Sequence, residues 1–307
     1  MDTKEWLTHN KSEMLKVALR MHGKTEEQLE EDIQIIRDWL KTQPHLPEIP
    51  CDNLIMNFLL LHKFSIENTK EKLDMYYTIR HLLPEVYDSR ANTAEDMKEN
   101  ADICHFIPLP KRTEDGDRVS VVQLTEGSGD MFDMYRSMGY CYNTLEIRLQ
   151  EDVLTSDIFI NDLRYVRMSH IVKITPIHLK KVITILEKVY NNKVKQFHFL
   201  NCPPYALTLL NIFKQFMKPK LAARLFIYED TTSITKHISK DILPCDFGGN
   251  ERSLYELNEI WKHKLSEYND RFIALSKMRT DEKLRPSPLK NDQILGYHGN
   301  FKKLEMD

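Results

Sequence analysis

Hydrophobic and polar positions recur along this chain with two periods, and the change of period divides it. Leu29, Ile33, Ile36 and Leu40 follow one another at helical spacing. Thr25-Glu26-Glu27-Gln28 ahead of them reads as a capping box, and Pro44 lies beyond the end. Asp52 is expected to cap a second helix carrying Leu54, Ile55, Phe58, Leu59 and Leu61. Ser65 is expected to cap a third, running to about His81 ahead of Pro84. Residues 1–90 therefore read as all-helical.

Beyond them the period shortens. "RVSVVQL" (118–124) is β-branched and follows the turn Glu114-Asp115-Gly116. Residues 131–152 read as a helix and "DIFIND" (157–162) as a short buried strand. Pro176 suits the first position of a helix bearing Leu179, Val182, Ile183, Leu186 and Val189. Strands at 194–201 and 224–229 flank one more helix, and a last helix starts at Ser253 with Leu254, Leu257, Trp261 and Leu265. Strand and helix in alternation predict an α/β domain with a mostly parallel sheet over residues 91–279. Residues 280–307, with Pro286 and Pro288, read as a loosely attached C-terminal extension.

The segment between the strands at 194–201 and 224–229 is unusual. After Pro203-Pro204, "YALTLLNIFKQFM" is apolar except for Thr208, Asn211, Lys214 and Gln215. Thr208, Asn211 and Gln215 form one narrow stripe, which leaves a broad apolar face. The run is shorter than the roughly 20 residues that cross a bilayer. Such a helix either packs on the sheet as ordinary core or covers an apolar cavity. Pattern alone leaves both open.

Composition narrows the function classes. Hydrophobic residues at 41% and charged residues at 29% describe an ordinary globular protein, and a formal charge of -3 argues against bulk attraction to nucleic acid. The charged start predicts no signal peptide. Cys51, Cys104, Cys141, Cys202 and Cys245 are odd in number and scattered, which predicts free thiols and a cytoplasmic protein. Gly127-Ser128-Gly129 lacks the rest of a phosphate loop and reads as a turn. Asp246-Phe247-Gly248 lacks every other kinase motif. The twelve histidines show no metal-ligand spacing, and no nucleophile signature is present. We expect no enzyme activity, no metal and no cofactor.

Several stretches in order carry a resemblance. The helical region 36–85, "FIND" with "SHIVKITP" (159–162 and 169–176), "VKQFHFLNCPP" (194–204) and "DILPCDFGGN" (241–250) resemble the corresponding segments of the CRAL-TRIO lipid-transfer family, over about residues 25–270. The resemblance implies a helical N-terminal region, then an α/β domain with an apolar pocket. It also implies that 203–217 is a mobile gate, which covers a lipid when shut and meets the membrane surface when open. On that reading Ile158, Ile160, Val182, Leu186, Phe199, Leu207, Leu210 and Phe213 are expected to wall the pocket. Tyr140 and Asn143 are expected to orient a headgroup.

Lys193 and Lys195 share a face at strand period, and Lys220 and Arg224 share one at helical period. All four match basic positions that bind phosphoinositides, such as phosphatidylinositol bisphosphate, in the family. The implied function is a cytosolic carrier of one hydrophobic, isoprenoid- or sterol-like ligand, with transient membrane association and phosphoinositide-dependent gate opening. The alternative is a phosphoinositide-binding lipid sensor or trafficking regulator.

Overall fold

The computed structural model describes residues 3–190 and 193–287. Six helices come first: α1 (Lys11–Met21), α2 (Glu26–Lys41), α3 (Asp52–Leu61), α4 (Ile66–Leu82), α5 (Pro84–Tyr87) and α6 (Ala94–Ile103). The capping box at α2 is formed: Thr25 Oγ1 accepts from the Gln28 N–H at 3.2 Å, and Gln28 Oε1 accepts from the Thr25 N–H at 3.1 Å. Ser65 accepts from the Asn68 N–H at 3.4 Å and so caps α4. Asp52 does not cap α3. Cys51 holds the cap position without a side-chain bond to the helix's own N–H groups, and Asp52 is the first helical residue, paired with Arg37. Its charge still favours that helix end through the dipole.

The apolar run of α3 is buried on every side. Its fully buried amide, Asn57, explains how. Asn57 Nδ2 donates to the carbonyls of Leu149 and Asp152 at 3.1 and 3.0 Å, and Asn57 Oδ1 accepts from the Leu154 N–H at 2.8 Å. Asn57 thereby ties the helical region to the end of a later helix, α7 (Met134–Glu151). A single hydrophobic cluster runs from Ile36, Phe58 and Tyr76 into Tyr142, Leu145 and Tyr190, so the two regions share one core.

The sheet has five strands in the order β1 (Cys104–Arg112), β2 (Arg118–Leu124), β3 (Asp157–Asp162), β4 (Val194–Leu200) and β5 (Leu225–Ile227). β1 runs antiparallel to β2, and the remaining pairs are parallel. The hydrophobic pattern does not announce β1, because Pro108 and Pro110 interrupt it. Proline withholds a ladder donor, and here it sits at an edge strand with an irregular register. Between the strands lie α8 (Met168–Ile171), α9 (Pro176–Ile185) with a π-helical turn at Leu186–Tyr190, α10 (Pro204–Phe216) and α11 (Pro219–Ala222).

α12 (Leu254–Glu267) and α13 (Asn269–Lys277) close the fold, and Trp261 and Leu265 of α12 share a core with Val121, Ile158 and Ile160. Gly248 has φ +74°, and a Cβ on Gly249 would strike the backbone of Leu243, which accounts for the glycine pair at 248–249. Loose attachment does not describe residues 280–287. Arg285 donates to both oxygens of Asp74 at 2.8 Å, and the Asp281 N–H donates to the His45 carbonyl at 2.9 Å. The rest of the expected extension, 288–307, lies outside the described residues.

Candidate functional site

Alternation along the strands sends Phe106, Val122, Phe159, Asn161, Phe197 and Phe199 to one face of the sheet, where they floor a cavity of about 340 Å³. Phe159 stacks between Phe106 and Phe197, with ring centroids 6.3 and 5.4 Å away. Met138, Cys141, Tyr142 and Leu145 of α7 form one wall, and Leu179, Val182 and Leu186 another. α10 closes the cavity with Ala206, Leu209, Leu210 and Phe213, the i, i+3, i+4, i+7 stripe of that helix.

The entry to α10 is held at definite points. Asn201, in left-handed conformation at φ 51°, donates to Asp162 at 2.7 Å and to Thr231 at 2.9 Å. One turn later the Tyr205 hydroxyl donates to the Val166 carbonyl at 2.6 Å. The other side of α10 faces outward, with Leu207 40% exposed. The thiols in the lining are protonated: burial pushes Cys104 up to about 12 and Cys141 well above its ordinary value. The cavity therefore offers apolar surface and no thiolate.

Of the residues expected to wall the pocket, Val182, Leu186, Phe199, Leu210 and Phe213 line this cavity. Five others do not. Ile158 and Ile160 belong to the opposite face, packed with the α12 core. Tyr140 is fully buried in that same cluster, and Asn143 Nδ2 donates to the Ala91 carbonyl at 2.6 Å. Leu207 points away from the cavity. The strand residues that do face it, Phe159 and Asn161, are the alternate positions of the same strand. Alternation predicts two sets for β3, and α12 is what assigns Ile158 and Ile160 to the other one.

Lys193, Lys195, Lys220 and Arg224 line a second, larger cleft of about 900 Å³. Lys63, Lys218 and His22 line it as well, and α1 supplies an apolar lip with Met14, Val17 and Met21. The four basic residues are not equivalent. Lys195 Nζ is 2.6 Å from Asp115 and 2.7 Å from Asp117, hydrogen bonds that raise its pKa. The Arg224 guanidinium donates to the Val194 carbonyl. Lys193 and Lys220 are exposed and form no ion pair with a described residue. Lys218 sits 3.2 Å from Glu187. Burial, then the charges of Lys63 and Lys193, lower the His22 pKa, so the ring is neutral where the lysines are charged. Leu186 lines both the cavity and the cleft. Lys63 escapes a reading of the sequence because it comes from the helical region, 130 positions before Lys193.

No helix among the described residues is long and apolar enough to cross a membrane, and no group of His, Cys, Asp or Glu among them is placed to hold a metal ion.

Residues 104–249 match the family profile described as CRAL/TRIO domain, and residues 25–97 match that of a Pinta-like, UBA domain. Among curated relatives, "Alpha-tocopherol transfer protein-like" of Mus musculus is 26% identical over 227 residues, covering 73% of this chain and 66% of that protein, slightly under two thirds of its length. The Homo sapiens protein of that name is also 26% identical, over 79% of this chain and 71% of its own. "Clavesin-2" of Rattus norvegicus is 24% identical over 86% of this chain and 84% of its own. The solved structure of Sfh5 superposes at a TM-score of 0.44 with 12% identity, over 80% of this chain and 97% of that one, too distant a likeness to bear on function. Residues 104–249 therefore form a CRAL/TRIO domain, behind a helical N-terminal region.

Proposed function

We propose that the protein is a carrier that takes one hydrophobic ligand, isoprenoid- or sterol-like, from one membrane and releases it at another without chemical change. The observation that carries this reading is the apolar cavity beneath α10, whose inner stripe faces the cavity while Leu207 faces outward. One helix of this kind can cover a ligand and also meet a bilayer surface. The transfer function in the names of the relatives supports the same reading. In the cytoplasm such a carrier would associate with membranes transiently.

We further propose that an anionic inositol phospholipid headgroup occupies the cleft lined by Lys193, Lys195, Lys220 and Arg224, and that its binding favours the open position of α10. The cleft also favours a second reading, a phosphoinositide-dependent sensor or trafficking regulator in which the bound lipid controls a partner. Organic extraction of the purified protein, with mass spectrometry of the extract, tests the carrier. One apolar lipid in stoichiometric amount supports it. An empty cavity together with no transfer between vesicles would favour the sensor.

A further inference from the structure

Most polar groups around the cavity are already engaged. The Asp162 carboxylate accepts from Gln123 Nε2 at 2.6 Å and Asn201 Nδ2 at 2.7 Å. Ser137 Oγ donates to a carbonyl of its own helix turn at 2.9 Å. The Arg148 guanidinium is held by Asp152 and Asp157 at 3.1 and 2.7 Å. Asn161 is different. It lines the cavity, its Nδ2 is enclosed without a partner, and its amide makes no hydrogen bond to a described residue.

The position makes this costly. Asn161 lies in the middle strand β3, in register between Val122 and Phe199 and two residues after Phe159 on the same face. Asparagine is a poor strand former, and an enclosed amide without a partner destabilises the fold. A valine or phenylalanine there would make a better apolar wall. Rotation about χ2 exchanges the amide nitrogen and oxygen, so the group can present a donor or an acceptor.

We infer that Asn161 is a polar anchor for the ligand, and that the cavity takes hydrophobic molecules bearing one uncharged oxygen, a hydroxyl or a carbonyl. An ionised carboxylate is excluded on the same grounds, because Arg148, the cation of the lining, is already held by two carboxylates. The inference rests on the reading of the cavity as a ligand site, and it names the chemistry of that ligand.

The test uses the full chain loaded from phosphatidylcholine vesicles that carry farnesene, farnesol, farnesal or farnesoic acid. The protein is re-isolated and extracted, and the retained lipid is quantified by gas chromatography and mass spectrometry. The parent should retain farnesol and farnesal over farnesene by about tenfold, the factor that one enclosed hydrogen bond supplies, and should not retain the acid. Asn161→Leu should hold farnesene at least as well as the parent and lose the preference, its farnesene uptake showing that it is folded. Equal retention of the hydrocarbon, alcohol and aldehyde by the parent, or an undiminished preference in Asn161→Leu, would overturn the anchor and leave the carrier standing. Retention of none of the four probes would overturn the isoprenoid form of the carrier reading and the anchor with it.

Discussion

Leu207 gives the sharpest test of what α10 is for, because its place separates two duties that one helix could serve. Its neighbours Ala206 and Leu210 line the cavity and are nearly buried, whereas Leu207 is 40% exposed on the outer side. If that side meets a bilayer, insertion removes the remaining exposure from water. Complete burial of a leucine side chain is worth about 2 kcal/mol, so this fraction gives about 0.8 kcal/mol, or about a fourfold change in affinity. Leu207→Ala should weaken vesicle binding by roughly that factor, and Leu207→Asp by more, since a charge is costly in the apolar part of the interface. Neither change touches the cavity, so ligand occupancy measured by extraction should be unaltered. Leu210→Ala should do the reverse and lower occupancy. Co-sedimentation with phosphatidylcholine vesicles reads the binding, and circular dichroism checks the fold. Vesicle binding by Leu207→Asp equal to that of the parent would refute the membrane-facing role. Loss of ligand in the same variant would show that Leu207 is wall after all.

Leu186→Trp should block ligand loading, because the side chain projects into the cavity from the turn after α9; uptake equal to the parent's would displace the site. Lys220→Ala with Arg224→Ala should abolish any preference for vesicles containing phosphatidylinositol bisphosphate at matched anionic charge and fixed salt, whereas Lys195→Ala should do less, since Asp115 and Asp117 already pair with that lysine. A preference undiminished in the double variant would return those residues to solvated surface. Burial, then the charge of Lys72 for His62 and of His237 for His198, lowers both rings to about 4. The unfolded chain binds those protons near the ordinary value of about 6.5, so stability should fall as pH drops from about 6.5 toward about 4, and urea midpoints flat across that window would contradict the assignment.

The fold was legible where one physical signal governed a segment. The capping box at Thr25, the strand at 157–162 and the apolar helix after Pro203-Pro204 are local patterns, and each is formed. The side of a strand that faces a cavity is not a local property. Both faces of this sheet are covered, so Ile158, Phe159 and Ile160 are all apolar, and period alone cannot assign them. Ile158 and Ile160 do share one face of β3, but which face meets the cavity is decided by α12, far away in the chain. The same limit explains Tyr140 and Asn143. α7 is buried along most of its circumference, so no polar stripe marks the side that faces the cavity. The basic cleft was legible through the resemblance, but its acidic members were not. Asp115, Asp117 and Glu187 modify the lysines only through contacts that folding creates.

Those contacts also decide how strongly cleft and cavity could communicate. Leu186 lines both, and it begins a π-helical turn, a departure from regular helix that often marks functional sites. The next residue, Glu187, pairs with Lys218, two positions beyond the end of α10. Lys218 is largely exposed, so this pair is worth at most about 1 kcal/mol. An anionic group entering the cleft competes for Lys218 against a weak partner, and the pair yields readily. The buried cluster of Arg118, Arg148 and Asp152 behaves in the opposite way: breaking it would leave an enclosed charge, which holds that end of α7 fixed. A ligand can shift a conformational equilibrium only by its differential affinity for the two states. The Glu187–Lys218 pair therefore bounds its own share of any coupling at about fivefold. Under the proposed gating, a larger effect of headgroup on ligand release would have to come from contacts that Lys193, Lys220 and Arg224 make in the open state and lack in the closed one.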